Sequence, residues 1–268
     1  MLSEVEISNE GPASACRVAD LLLDIGAVLL VSGAHCGRVN RNVERVAKQW
    51  GYHVDLFMSF TGLNVTIRNL EYPDQRIGRF RRCALPGVHF GIVTEVSLLT
   101  WRVLEENLTI GEVERQVAEI KEMPHHPRWS ILLGAGSACA CLCLLAGGDW
   151  VDGGIAFIAV ICGLFARQEV VKRRYNPLIS FIVASIITTL IAGCDAIYQI
   201  GQSPEKALAT AVLYLVPGVP LINCVIDLIE GYIPTAIARG VFGGLILLCI
   251  AVGMSLAIMI LGVHHFHS

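Results

Sequence analysis

Charge is what this sequence has least of. Only 16% of its 268 residues are Asp, Glu, Lys or Arg, 54% are hydrophobic, and the mean hydropathy is +0.61. A soluble globular domain carries about one quarter charged residues, so an ordinary soluble protein is excluded. Basic excess is lacking too: 20 Lys and Arg against 23 Asp and Glu leave a net charge of −3, with no basic stripe for nucleic acid. The sequence has no Walker motif, dinucleotide fingerprint or nucleophile elbow, so nothing in it points to a nucleotide or other cofactor. A basic leader is missing, Glu4, Glu6 and Glu10 standing in its place, and a cleavable signal peptide is not expected.

Ten cysteines are present, but they form no framework. Cys139, Cys141 and Cys143 alternate along one apolar run and cannot share a helix face, and a cytoplasmic or lipid setting disfavours disulfides. His125-His126 reads as a linker. His264-His265-Phe266-His267 lacks the fixed geometry of a metal site, and no metal site is assigned.

What is there divides in two. Residues 1–128 hold 14 of the 20 basic and 16 of the 23 acidic residues. Residues 129–268 hold long apolar runs instead. The expected organisation is a flexible tail at 1–12, a small cytoplasmic α/β domain at 13–128 and a multi-pass α-helical membrane domain at 129–268. About five spans are expected, near 129–147, 152–168, 177–195, 207–228 and 240–263. The second reaches spanning length only with Asp152 and Arg167-Gln168 at the interfaces, and its rival reading is a buried or re-entrant segment. Arg167 with Lys172-Arg173-Arg174 lies between spans two and three, Arg128 before span one and Arg239 before span five. The positive-inside rule therefore puts residues 1–128 in the cytoplasm. Gly134, Gly136, Gly240, Gly244 and Gly253 within the spans fit close helix packing, inside one bundle or against another subunit.

In the polar half, apolar spacing predicts helices over 15–31, 34–49 and 88–105, and strands over 52–60 and 63–69. Thr109 with Glu112 forms a capping box for a last helix ending near Met123-Pro124.

The ionisable groups near the later spans are the strongest functional feature. Asp227 and Glu230, three apart, share a helix face. Asn223 lies one turn earlier, Asp195 ends the third span and Arg239 begins the fifth. Pro217, Gly218 and Pro220 interrupt an apolar segment and are the expected broken-helix hinge. Intramembrane charge is expensive and often functional, so Asp195, Asn223, Asp227, Glu230 and Arg239 are candidates for a substrate or proton pathway. The alternative is an interfacial ion pair or boundary role. His35, Arg38, Arg41 and Glu44 form a polar face near Gly33, with Arg38 and Glu44 as candidates for a cytoplasmic gate or a solvated helix surface. Asp24, among Leu21–Leu30, is expected to pair with a nearby arginine.

Gly26-x6-Gly33-x4-Arg38-Val39-x4-Glu44, Leu215-Val-Pro-Gly218 and Asp227-x3-Gly231 together resemble the threonine/serine exporter family. Within it, the chain is most similar to the large-subunit branch that includes a bacterial inner-membrane succinate-export protein. The likeness covers nearly the whole chain. Pro217, Gly218, Asp227, Gly231, Arg239 and Gly240 stand at recurrent family positions, while Pro234–Ala238 departs from the usual pattern. The resemblance implies a cytoplasmic N-terminal domain, about five helices in the bacterial inner membrane and a separately encoded small membrane subunit. It leaves self-association open.

The expected function is therefore an export permease subunit for small polar metabolites such as threonine, serine or succinate. The missing ATPase signature favours coupling to proton movement or to the substrate gradient, and secondary transport coupled to a proton gradient is the leading expectation. The rivals are a membrane-bound acid/base enzyme, which lacks a companion nucleophile, and a regulatory or structural subunit of a transport complex.

Overall fold

In the computed structural model of the chain, residues 12–71, 76–84, 87–124 and 126–262 are described. The histidines at 264–267, His125 and the expected N-terminal tail short of Pro12 lie outside them. The chain forms two compact units, Met1–His125 with Val219–Gly240, and His126–Gly218 with Val241–Ser268.

The first unit is a helix-on-sheet layer. Helices α1 (Pro12–Val31) and α2 (Cys36–Gln49) precede strands β1 (Tyr52–Ser59), β2 (Gly62–Asn69) and β3 (Arg76–Arg82), followed by α3 (Phe90–Glu106) and α4 (Ile110–Lys121). The sheet is antiparallel in the order β1-β2-β3, with Val54 opposite Ile67 and Thr66 opposite Gly78. Leu63, Val65 and Ile67 alternate inward along β2. They meet Leu22, Ile25 and Leu29 of α1, Val39 and Val43 of α2, and Val96 and Leu99 of α3. Each such fully buried side chain contributes about 1.5–3 kcal/mol. Gly26 lets α1 lie against β2, because a Cβ there would sit 2.6 Å from the Leu63 side chain.

Strand β3 is the element that apolar alternation did not announce. Its sequence, Arg-Ile-Gly-Arg-Phe-Arg-Arg, exposes every second residue and fully buries none. A charged edge strand of this kind blocks further strand pairing. It also returns charge to the layer: Arg79 pairs with Asp20 at 3.0 Å, and Asp24 takes both Arg81 and Lys121. The arginine expected for Asp24 is therefore Arg81. The capping box of α4 forms as expected, Thr109 and Glu112 each accepting the other's backbone N–H.

The second unit holds α5 (Arg128–Leu145), α6 (Trp150–Lys172), α7 (Pro177–Tyr198) and α8 (Pro204–Val212), with a 3-10 turn at Leu213–Leu215. Helix α9 (Gly218–Ile229) falls almost wholly in the first unit, and α10 (Ile233–Leu261) starts there and runs on into the second. Among the described residues four helices, α5, α6, α7 and α10, are long and apolar enough to cross a membrane, and the bent pair Pro204–Leu215 and Gly218–Ile229 makes up to five. The doubtful second span is a continuous 23-residue helix, which removes the reason to read it as a short buried segment.

Packing inside this unit relies on small side chains. Ala156, Ala159, Ala184, Ala192, Ala207 and Ala211 are fully buried, while Leu145, Trp150, Met259 and Ile260 point outward. Small residues inside and large apolar ones outside are what a lipid-bathed bundle requires, since lipid gives no hydrophobic drive for helices to associate. Cys139 and Cys143 are buried, Cys141 is exposed, and all ten cysteines are free thiols.

Candidate functional site

Most of the ionisable residues singled out near the last spans converge on one turn of the first unit. Helix α1 ends at Ser32-Gly33, where Gly33 takes φ +93°, a conformation open to glycine at no steric cost. Helix α2 then starts at Cys36, with His35 as its cap. The first N–H groups of a helix have no intrahelical partner and carry partial positive charge. Asp227 answers one of them: its Oδ1 accepts the Cys36 N–H at 2.6 Å.

The other oxygen of Asp227 lies 2.9 Å from Nη1 of Arg239, as a charge contact and not an aligned hydrogen bond. Both side chains are buried, at 0% and 3% exposure. Nη2 of Arg239 donates to the Ala34 carbonyl at 3.0 Å. Asn223 donates to the Gly33 carbonyl at 2.8 Å, and Thr235 to the Met58 carbonyl at 2.8 Å. The end of α9 fixes this register. Tyr232 N–H returns to the Asp227 carbonyl and Gly231 N–H to that of Leu228, with Gly231 at φ +87°, which is the Schellman arrangement.

Glu230 sits further out. Its carboxylate takes Nη1 of Arg41 at 3.0 Å and Nδ1 of His35 at 3.1 Å. Nδ1 of His35 also lies 3.4 Å from the Arg38 N–H. A single nitrogen cannot donate to Glu230 and accept from Arg38 together, so the proton on Nδ1 selects between them. Glu230 also explains Gly37, because a Cβ at that position would overlap the Glu230 carboxylate. Burial pushes the Glu230 carboxyl upward, but hydrogen bonds and charge from Arg41 and His35 outweigh it and hold the group below the usual carboxylate range.

Cys36 has the opposite fate. Burial, and then the Asp227 charge, push its thiol up to about 12, so it is a poor nucleophile. The ligand atoms of His35, Asp227 and Glu230 come within 4.8 Å of one another. Arg239 and Arg41 already neutralise the two carboxylates, however, and a divalent cation would meet both guanidinium groups. The donor set does not fit a metal.

Of the two residues expected as a gate, Glu44 pairs with Lys48 one turn along α2 at 2.8 Å. Arg38 gives its backbone N–H to His35 and its carbonyl to Asn42. His35 and Arg41, read from sequence only as part of a polar face, prove to be the partners of Glu230. Cys36 and Gly37 gave no sequence signal. Pro217 cannot donate to the α8 ladder, which ends in the 3-10 turn, and Gly218 opens α9. Pro220 then falls in the first turn of α9, where its missing N–H has no partner to lose.

Asp195 belongs to the second unit, at 0% exposure near the end of α7, and its Oδ1 accepts the Gly201 N–H at 2.7 Å. That unit also holds a group that was not singled out for a role. Arg167 of α6 stacks on Phe181 of α7, 4.1 Å from the ring centroid. It interacts with Tyr214, whose hydroxyl is 2.9 Å from Oγ1 of buried Thr188. Nε of Arg167 is buried and has no hydrogen-bond partner among the described residues, and no carboxylate pairs with the guanidinium there. Gly163, one turn before Arg167, leaves the space that Tyr214 and Thr188 occupy. The signal available in sequence was Arg167 itself, a charge within the second apolar run that was read as interfacial.

The family model described as "Putative threonine/serine exporter" matches residues 20–261. The chain is 30% identical over 246 residues to the "Probable succinate transporter subunit YjjP" of Escherichia coli K12, covering 91% of this chain and 95% of that protein. It is 26% identical to the "Probable threonine/serine exporter" of Mycobacterium tuberculosis and 25% identical to the "Threonine/serine exporter" of Corynebacterium glutamicum. Those matches take 83% and 89% of this chain but only 42% and 50% of the relatives. No solved structure matches. With nearly the whole sequence matched, this chain belongs to the threonine/serine exporter family.

Proposed function

We propose that the chain is the larger subunit of a proton-coupled exporter for small, polar, carboxylate-bearing metabolites. Family membership makes it an export transporter. The substrates in the relatives' names, succinate, threonine and serine, differ in charge and length but share a carboxylate. The observation that carries the reading is Arg167, a guanidinium kept among apolar helices without a carboxylate of its own. Intramembrane charge persists where it is paired or used. A substrate carboxylate would supply the missing partner through charge-assisted hydrogen bonds, beside the hydroxyls of Tyr214 and Thr188.

In this reading Asp227, Arg239, Asn223 and Glu230 act as a latch. They hold the turn between α9 and α10 to the turn between α1 and α2, and protonation of a carboxylate would loosen it. Pro217, Gly218 and Pro220 form the hinge, and Arg38 and Glu44 flank the latch on α2. The bias of Arg128, Lys172, Arg173 and Arg174 supports a cytoplasmic N-terminal region in a bacterial inner membrane. The word "subunit" in the Escherichia coli relative's name supports a second, smaller membrane chain as partner. An acid/base enzyme is less well supported, since Cys36 is held protonated and the carboxylates of the latch are occupied.

The test is efflux from vesicles holding this chain with the small subunit, loaded with serine, threonine or succinate under imposed proton gradients. Gradient-driven efflux of at least one is expected. Conversion without movement would favour the enzyme, and efflux that needs only the small subunit would make this chain regulatory.

A further inference from the structure

The second unit contains a polar cluster that the latch does not use. Asp152, in the first turn of α6, and Asp195, near the end of α7, are both completely buried. Their carboxyl groups meet across Gly201. A Cβ at Gly201 would overlap Oδ1 of Asp152 and lie 3.1 Å from Oδ2 of Asp195.

The donors around them are few. Oδ2 of Asp152 accepts the Asp149 N–H at 2.9 Å, closing the capping box of α6, and both its oxygens lie near the Ser203 N–H, at 3.2 and 3.3 Å. Oδ1 of Asp195 takes the Gly201 N–H at 2.7 Å. Among the described residues Oδ2 of Asp195 is buried without a donor, and it faces the other carboxyl. Capping explains Asp152. It does not explain a second carboxyl, turned toward the first, that caps nothing with its free oxygen.

The charges nearby do not resolve the conflict. On α6, Asp149 adds a further negative group and accepts the Val151 and Asp152 N–H groups. On α8, Glu205 is exposed, and Lys206 directs its ammonium to the Gly147 carbonyl at 2.8 Å. Cys143 of α5 packs beside Asp152 as a buried thiol. Two carboxylates this close in a dry site cannot both ionise, as in the catalytic pair of aspartic proteases.

We infer that Asp152 and Asp195 share one proton and form a proton-binding site of the transporter, a step that rests on the proton-coupled reading above. Asp195 carries the proton on Oδ2 and donates it to Oδ1 of Asp152, whose oxygens also keep their backbone donors. The unpartnered oxygen then becomes the donor of an O–H···O bond. Release sends the proton to water past residues 199–203, where Gln202 is exposed, and leaves two facing carboxylates. The charged pair is therefore a high-energy state, tolerated only while the loop carrying Gly201 and Ser203 opens to solvent. Coupling follows when substrate movement and this opening exclude each other.

Two measurements test the site on the full chain with its small subunit in vesicles. Infrared difference spectra at neutral pH should show the carbonyl stretch of a protonated carboxylic acid, lost in Asp195→Asn and shifted in Asp152→Asn. Asp152→Asn keeps an acceptor for the cap, so this variant guards against simple misfolding. A wild-type spectrum without the band, or a band that survives unchanged in Asp195→Asn, overturns the shared proton. In flux assays, Asp195→Asn should keep substrate exchange and lose its response to an imposed pH gradient. A variant still driven by the gradient like wild type overturns the coupling role. If wild type moves no metabolite, the export reading fails while the spectra still decide the proton.

Discussion

The two units treat buried charge in opposite ways. In the first, fully buried Asp227 meets Arg239; nearer the surface Glu230 meets Arg41 and His35, Asp24 meets Arg81 and Lys121, and Arg45 lies on the Trp101 ring with Asn42 and Thr100 as its hydrogen-bond partners. In the second, Arg167 lies on an aromatic ring without a carboxylate, and Asp152 faces Asp195, a group of the same sign. A charge with its partner in place holds structure together, and removing that partner is costly. A charge without one is stable only if something else visits it, whether substrate, proton or water. In the proposed reading the difference separates scaffold from working parts, and the working parts lie in the apolar unit.

The largest effect is expected at the Asp227–Arg239 pair. Asp227→Ala leaves Arg239 buried without a counter-charge and should destabilise the protein by about 3–5 kcal/mol, read as a lower melting temperature in detergent. Replacing both, Asp227→Leu with Arg239→Met, should recover much of the loss. If the single variant melts like wild type, the pair is not structural. Arg167→Gln should do the reverse. Melting should change little, but the substrate concentration for half-maximal efflux should rise about tenfold to a hundredfold, the worth of a charge-assisted hydrogen bond. Arg167→Lys should restore part of it, lacking the planar fork. An unchanged concentration dependence in Arg167→Gln would remove the carboxylate site.

Two glycines sharpen the contrast. Gly201→Ala pushes against fully buried Asp152, which cannot move aside, and should cost about 1–3 kcal/mol. Gly37→Ala pushes against Glu230, whose side chain is 26% exposed and can swing outward. Its cost should be smaller, about 1 kcal/mol, and thermal melts of the two variants side by side decide the order.

The helices of the first unit were legible because their apolar spacing is regular, and the capping box because Thr109 and Glu112 stand three apart. Strand β3 was not, since Arg76, Arg79, Arg81 and Arg82 leave only Ile77 and Phe80 apolar, and these two stand on opposite faces. Asp227, Glu230, Arg239 and Asn223 were legible as a cluster because charge and amide groups stand out against Leu, Ile and Val. Their partners were not. Ala34 and Gly33 contribute only carbonyls and Cys36 an N–H, groups that every residue has, and contacts spanning about two hundred positions leave no local spacing to read. Asp152 was hidden for another reason: in sequence it stands only as a charge at the interface end of the second span, and its relation to Asp195 appears only once α6 and α7 are packed.

The smallest expected effect lies at the rim of the latch. The Glu230 carboxyl is held below its ordinary range by Arg41 and His35, against the upward push of burial. A carboxyl depressed in the folded protein binds protons more readily once unfolded. Its contribution is therefore fully present above the ordinary carboxylate range and is lost as pH falls through the lowered folded value. Glu112 and Glu114 are depressed as well, so acid destabilisation by itself says nothing about Glu230. The difference does: melting temperatures of wild type and Glu230→Gln should diverge most at neutral pH and converge in acid. Glu230 is partly exposed and its ion pairs are screened, so the gap should also shrink in high salt. Parallel pH curves would mean that Arg41 and His35 confer no net stability through Glu230, and that the latch consists of the buried Asp227 and Arg239 alone.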